Sequence, residues 1–138
     1  KSIKKAIELK IKIYKHSFKN SRQGFINNWP EKYELRAWMI SMKSGGFLKP
    51  HNHEYGWITG SFYLQIPKYN NNGNDSGQIA FSYQGPRYPS KEKDFNLTIK
   101  KINTRDIVIF PSSLFHHTIP FRSDEDRICF VFDLIQKT

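Results

Sequence analysis

Two hydrophobic periods divide the chain. In the first 19 residues, apolar side chains recur every three or four positions, and this spacing predicts an amphipathic helix. The apolar stripe consists of Ile3, Ile7, Ile11, Tyr14 and Phe18. Residues 7–13 also alternate as in a strand, but the length of the stripe favours the helix. Residues 20–32 contain glycine, asparagine and proline, and are predicted to form a connection.

From residue 34 onwards the period changes to two, and short apolar runs are separated by turn residues. Eight strands are predicted, near residues 34–43, 46–53, 57–66, 77–83, 95–101, 106–110, 114–119 and 127–135. The long connections at residues 68–77 and 84–94 are predicted to be a hairpin loop and a surface loop. Eight short strands in one domain favour an all-β jelly roll preceded by a helix.

The composition fits one folded domain in a chain of 138 residues, of which 38% are hydrophobic and 15% aromatic. Cys129 is the only cysteine, which excludes an internal disulfide and indicates a reducing compartment. No apolar run approaches the roughly 20 residues of a membrane span. We therefore expect a cytoplasmic protein with no membrane contact. Since the chain begins with Lys1 and has no signal-peptide pattern, we expect a processed chain or a piece of a longer protein.

The positive charge is unevenly distributed. The net charge is +10, and the first 19 residues carry seven lysines against one glutamate. A basic helix can bind nucleic acid, but a solvated lysine face is the commoner explanation. Nucleic-acid binding is therefore possible for this chain and not favoured.

Three histidines form the most informative pattern in the chain. His51 and His53 lie two positions apart, so on a strand they would point to the same face. A third, His116, follows the turn residues Phe110-Pro111 in a later predicted strand. Imidazoles that converge from two strands form a facial site that binds a metal and leaves other positions open. His51, His53 and His116 are therefore the predicted metal ligands and catalytic residues.

The residues around this pattern leave alternatives open. Glu54 would complete a mixed histidine and carboxylate triad, the usual way to bind non-haem iron, but only if a bulge turned it inward. A regular strand points it away from His51 and His53, so three histidines are favoured. His117 follows His116 directly and would face the other way. Zinc would accept three imidazoles as readily as iron.

A polar row continues along the strand that follows the histidine pair. Thr59, Ser61 and Tyr63 share one face with His51 and His53, so their hydroxyl groups are predicted to line a cavity. Thr59 and Tyr63 are the candidates for binding an oxygen-rich cofactor. The alternative is that this face meets solvent, as in a half-exposed antiparallel strand.

Arg127 begins the last predicted strand. The apolar row of this strand is Ile128, Phe130, Phe132 and Leu134, so Arg127 points to the other face. A guanidinium there suits a carboxylate ligand, which it binds through two parallel hydrogen bonds. The alternative is a salt bridge to one of the acidic residues 124–126.

Several linked motifs, which run from about Trp38 to Leu134, resemble the 2-oxoglutarate and Fe(II)-dependent oxygenases of bacteria and phages. The motifs are Gly46-Phe47-Leu48-Lys49-Pro50-His51-Asn52-His53, Trp57-Ile58-Thr59-Gly60-Ser61-Phe62-Tyr63-Leu64, Gly77-Gln78-Ile79-Ala80-Phe81 with Pro86-Arg87, Phe110-Pro111-Ser112-Ser113-Leu114-Phe115-His116, and Ser123-Asp124-Glu125-Asp126-Arg127-Ile128.

The resemblance implies a double-stranded β-helix, a cupin-like jelly roll, as residues 34–138, with residues 1–33 as helix and connection. It implies Fe(II) bound by His51, His53 and His116, and an Arg127 that takes the C5 carboxylate of 2-oxoglutarate. The cosubstrate and dioxygen would be converted to succinate and CO2 while an unidentified prime substrate is hydroxylated. The family at large has Asp or Glu where this chain has His53, so the site here is less negative.

Two other functions fit parts of the pattern. A cupin-type metalloenzyme that uses no 2-oxoglutarate would share the histidine pair and the Phe-Pro turn, but it would not need Arg127 as an anchor. A non-catalytic β-sandwich binding module would have structural histidines and no metal. Arg127 separates the first rival from the oxygenase, and metal analysis separates the second from both enzymes.

Overall fold

The computed structural model describes residues 2–68, 75–85, 88 and 96–137. Most of the two long predicted connections, including Pro86 and Arg87, lies outside these residues. The described part has two helices, α1 (Ile3–Ser17) and α2 (Gly24–Asn27). Its strands are β1 (Tyr33–Met42), β2 (Ile58–Gln65), β3 (Ile79–Ser82), β4 (Thr98–Lys100), β5 (Ile107–Pro111), β6 (Phe115–Thr118) and β7 (Arg127–Gln136).

The strands form two antiparallel sheets. The larger sheet has the order β1-β7-β2-β5, and the smaller has the order β4-β3-β6. Consecutive strands repeatedly change sheet, as in a jelly roll. Both sheets contribute to one core, whose buried members are Tyr63, Ile79, Ile102, Phe110, Cys129 and Val131. The predicted double-stranded β-helix with an N-terminal helix is confirmed.

The strand predicted over residues 46–53 is wrong. In this segment only His51 forms a β-bridge, antiparallel to His116 on β6. Pro50 has no N–H to donate to a ladder, and a glycine pair precedes the segment, so regular pairing is interrupted. The segment still runs beside β6, in the place of a fourth strand of the smaller sheet.

Helix α1 packs on the outer face of the larger sheet. Its buried residues, Ile7 and Ile11, contact the apolar row of β2 and β7, formed by Ile58, Phe132 and Leu134. The two ends of the predicted stripe are not buried, because the sheet covers only the middle of the helix. Ile3 is 62% exposed and Phe18 is 47% exposed.

The helix begins at a side-chain cap, where Ser2 Oγ accepts the backbone N–H of Lys5 at 3.4 Å. The lysines of α1 lie on its exposed side. No helix in the described ranges is both long and apolar enough to cross a membrane. Because α1 and the larger sheet share one apolar cluster, the division into residues 1–33 and 34–138 stays a prediction.

Candidate metal centre and cosubstrate pocket

Three histidine side chains converge at the open end of the core. One ligand atom from each of His51, His53 and His116 lies within 4.8 Å of the others. Two main-chain hydrogen bonds, of 3.1 and 2.9 Å, join His51 to His116, and the N–H of His53 donates to Ser112 O at 2.9 Å. These bonds replace the regular strand that the sequence predicted, and they produce the same convergence.

Each of the three imidazoles is oriented by an acceptor at Nδ1. The ring of His51 donates to Lys49 O at 2.7 Å, and the ring of His116 donates to Leu114 O at 3.1 Å. A carbonyl oxygen only accepts, so Nδ1 carries the proton in both rings and the lone pair lies on Nε2. His53 Nδ1 contacts both carboxylate oxygens of Asp133, at 2.8 and 2.9 Å. All three Nε2 atoms are therefore available to a metal.

Burial favours the neutral form of two of the three imidazoles. Desolvation, with a smaller contribution from the neighbouring His51, lowers the pKa of His116 to about 3. Desolvation also lowers the pKa of His51, and the nearby His53 lowers it further. Neutral imidazoles are the form that ligates a metal, so this environment holds two of the rings ready to bind at physiological pH.

The two alternative ligands lie outside this group. Glu54 sits in the exposed turn that follows His53, and it is not one of the three described residues whose ligand atoms converge. His117 pairs with Ala80 on the smaller sheet and is half-buried. Its pKa is lowered by burial and by the nearby His51.

A cavity of about 170 Å³ extends inward from the histidines between the two sheets. Its lining is mainly apolar, with a smaller set of polar groups that includes the three histidines and Arg127. The lining residues are Trp38, Ile40, Leu48, His51, His53, Ser61, Tyr63, Ile79, His116, Thr118, Arg127, Cys129 and Val131. A cavity of this size is smaller than the roughly 300–1,000 Å³ of drug-sized ligand sites and suits a small metabolite.

Arg127 lines this cavity and is only 2% exposed. Its Nε donates to Gly77 O at 2.9 Å, and its guanidinium lies 5.2 Å from the centroid of the Tyr63 ring. No described carboxylate forms an ion pair with it, so the predicted alternative of a salt bridge to residues 124–126 is not found. A buried guanidinium without a counter-charge is costly, and an anionic ligand would offset that cost.

Tyr63 lines the same cavity beside Arg127. Its hydroxyl is buried and makes no hydrogen bond of acceptable geometry to a described group. Desolvation raises the pKa of Tyr63 to about 12, against the smaller opposing effects of Arg127 and Ser61 nearby. A neutral phenol with an unused donor next to a buried cation is arranged to bind a carboxylate.

Thr59 lies on the predicted face but does not line the cavity. Its hydroxyl donates to Asp133 at 2.7 Å and contacts Ser112 Oγ at 2.8 Å.

Sequence reasoning missed Asp133, although it has the same strand parity as Arg127 and interrupts an apolar run. That parity was the signal, since a carboxylate on the cavity face of a buried strand needs a partner.

A second, more open space of about 440 Å³ reaches His51 and His53 from outside. Trp38, also missed from the sequence, lines both spaces and stacks on the His53 ring, with centroids 5.7 Å apart and planes at 28°. Tyr55 on the opposite wall is 83% exposed. His51 and His53 therefore border both spaces, which we call the inner cavity and the outer groove.

Comparison with known proteins agrees with this geometry. A family model described as "Putative 2OG-Fe(II) oxygenase" matches residues 36–133, which include all three histidines and Arg127. The chain belongs to the 2OG-Fe(II) oxygenase family. A search of curated proteins found no match to this oxygenase.

Solved structures share the fold of this oxygenase at low sequence identity. A Pseudomonas putida prolyl-4-hydroxylase is 14% identical, with a TM-score of 0.54 over 76% of this chain and 53% of that one. A Burkholderia pseudomallei 2OG-Fe(II) oxygenase is 12% identical, with a TM-score of 0.58 over 83% of this chain and 49% of that one. HygX of Streptomyces hygroscopicus, with nickel and 2-oxoglutarate bound, is 14% identical, with a TM-score of 0.56 over 80% of this chain and 58% of that one. The chain thus spans between about half and three-fifths of these proteins.

Proposed function

We propose that the chain is a 2-oxoglutarate and Fe(II)-dependent dioxygenase that hydroxylates a substrate and releases succinate and CO2. Membership of the family supports the reaction class. The observation that carries the assignment in this chain is a single cavity that is lined by a buried cation without a described counter-charge and by a buried hydroxyl group. The buried Arg127 has no described carboxylate partner, and the Tyr63 hydroxyl has no described hydrogen-bond partner.

His51, His53 and His116 are the proposed ligands of Fe(II). Three neutral imidazole nitrogens on one side of a cavity fit a facial site with open positions. Iron bound there would supply the activation of dioxygen and the oxidative chemistry on 2-oxoglutarate and substrate. The work of the protein is to hold the three rings at fixed orientations, through their Nδ1 hydrogen bonds.

Arg127 and Tyr63 are the proposed binding residues for 2-oxoglutarate. Arg127 would bind the C5 carboxylate through charge-assisted hydrogen bonds, and Tyr63 would donate its hydroxyl to the same group. The apolar walls of the cavity, including Ile40 and Val131, would exclude water from the cosubstrate. Thr59 is not retained for this role, because its hydroxyl is already bonded to Asp133.

The outer groove beside Trp38 and Tyr55 is the proposed entrance for the prime substrate, since it is the more open of the two spaces, reaches His51 and His53, and is not lined by Arg127. A cytoplasmic location is part of the proposal, because 2-oxoglutarate is a metabolite of that compartment and Cys129 is a free thiol. Nucleic acid is not required by any feature of the site.

The decisive experiment measures 2-oxoglutarate binding by calorimetry, with and without Fe(II) under anaerobic conditions. We expect binding only with metal, and we expect Arg127→Ala to weaken it by about 1.5–3 kcal/mol, the range for hydrogen bonds to charged groups. Arg122→Ala, which removes a charge outside the cavity, is the matched control and should bind normally. Unchanged affinity in Arg127→Ala would favour a cupin-type enzyme that uses no 2-oxoglutarate.

A further inference from the structure

Asp133 is a buried carboxylate that touches a proposed metal ligand. Its two oxygens contact His53 Nδ1 at 2.8 and 2.9 Å, and Oδ1 also accepts the Thr59 hydroxyl at 2.7 Å. Only 8% of the residue is exposed. An acceptor of two donors in this setting is an ionised carboxylate, so a negative charge lies one imidazole ring away from the metal position.

The surroundings of Asp133 fix it in this position. Thr59 is its register partner on β2, and Ser112 Oγ supports Thr59 at 2.8 Å. A methyl group on Gly56 would come within 2.8 Å of Ser112 Cβ and 3.5 Å of Asp133 Cγ, so the space behind the carboxylate is filled. Ser112 also accepts the backbone N–H of His53 through its carbonyl oxygen. The ring and the main chain of His53 are therefore held by the same cluster.

The arginine that is paired with Asp133 in the sheet register forms an ion pair with a different carboxylate. Arg36 is the register partner of Asp133 on β1, but its Nε is paired with Glu34 at 2.6 Å. The described ion pair of Asp133 is the one with His53.

We propose that Asp133 is a positioning residue of the metal centre, which supplies through His53 the negative charge that a carboxylate ligand at position 53 would otherwise supply. The inference rests on the proposed metal centre. A carboxylate that accepts Nδ1–H fixes the tautomer of the ring and makes Nε2 a stronger donor. It also stabilises the higher positive charge of Fe(III) more than that of Fe(II), so it lowers the reduction potential of the bound iron.

The test compares Asp133→Asn with Asp126→Asn. The first substitution keeps the shape and one acceptor oxygen but removes the charge, and the second removes an equal charge from a carboxylate whose described side-chain partner is the exposed Ser41. Affinity for Fe(II) and Co(II) is measured by competition with a chromophoric chelator, and the Fe(III)/Fe(II) midpoint potential by redox titration. We expect Asp133→Asn to bind metal about 10- to 100-fold more weakly, with a midpoint potential shifted upward. Asp126→Asn should match the parent in both measurements.

Thr59→Val provides a second variant if Asp133→Asn folds poorly. It leaves the charge and removes only the hydroxyl that orients the carboxylate, so we expect a smaller loss of metal affinity in the same direction. Parent-like affinity and potential in both Asp133→Asn and Thr59→Val would overturn the role of Asp133 while leaving the three-histidine centre intact. A parent protein that binds neither metal would overturn the centre itself, and with it this inference.

Discussion

At the scale of single residues, the three proposed metal ligands differ in how their rings are held. His51 and His116 donate to backbone carbonyls close in sequence, whereas His53 depends on Asp133, which lies 80 residues away. Local carbonyl partners form whenever the backbone folds. The orientation of the His53 ring requires that β7 is already in register with β1 and β2. Metal binding by His53 is therefore coupled to the completed sheet.

Alanine at any one of His51, His53 and His116 should reduce iron occupancy sharply, because two imidazoles and water hold Fe(II) much more weakly than three. Occupancy is measured by metal analysis after anaerobic loading and desalting. His117→Ala is the matched control, since it removes a neighbouring histidine outside the converging group, and it should retain iron. Retention of iron in His53→Ala together with its loss in Glu54→Ala would transfer the ligand role to Glu54.

The sequence predicted which charged and imidazole side chains lie together better than it predicted hydrogen-bond partners. His51, His53, His116 and Arg127 could be assigned because their spacing and strand parity determine a face, and the structure brings all four to one cavity. Thr59 has the correct parity too, yet its hydroxyl turns to a partner on the neighbouring strand. Parity predicts a face but not which neighbour a short side chain will reach, so that neighbour depends on sheet register.

At the scale of elements, seven of the eight predicted strands form, and the exception carries two of the proposed metal ligands. Hydrophobic alternation predicts β2 and β7 well, because each has one row toward the core and one row toward α1. Residues 46–53 lack such alternation, and the hydrogen bonds of the segment are made at irregular intervals to β6. That information lies in the tertiary packing.

The pairing of β2 with β7 requires a residue without a side chain at Gly60. It is the register partner of Phe132, and a methyl group added to Gly60 would overlap the Phe132 ring. Because Phe132 is fully buried, the ring has little space to move. We expect Gly60→Ala to lower the free energy of unfolding by about 1–3 kcal/mol, the usual cost of overpacking a core.

The measurement for Gly60→Ala is urea denaturation of the metal-free protein. Gly24→Ala is the control, because the nearest described atom to its new methyl group is 3.9 Å away and the site begins α2. Equal stability of the two variants would show that Phe132 repacks without strain and that Gly60 is not required for the strand pairing.

At the scale of the whole molecule, the larger sheet has two faces with separate tasks. The inner face contributes Tyr63, Arg127 and Cys129 to the cavity, and the outer face packs under α1. The helix contributes no residue to the inner cavity or the outer groove. The packing of the helix and the proposed ligand site thus lie on opposite faces of one sheet. A substitution under the helix should therefore lower the free energy of unfolding without changing ligand affinity.

Ile11 gives the sharpest test of this separation, because it is 2% exposed beneath the middle of α1, whereas Leu9 on the same helix is 58% exposed. We expect Ile11→Ala to lower the free energy of unfolding by about 2–5 kcal/mol, as for other buried aliphatic truncations. Leu9→Ala should change it by less than about 0.5 kcal/mol. Both folded variants should bind iron and 2-oxoglutarate with parent affinity. Parent-like stability of Ile11→Ala would mean that the helix does not dock in solution, and the basic segment would then be tested for nucleic-acid binding at low salt.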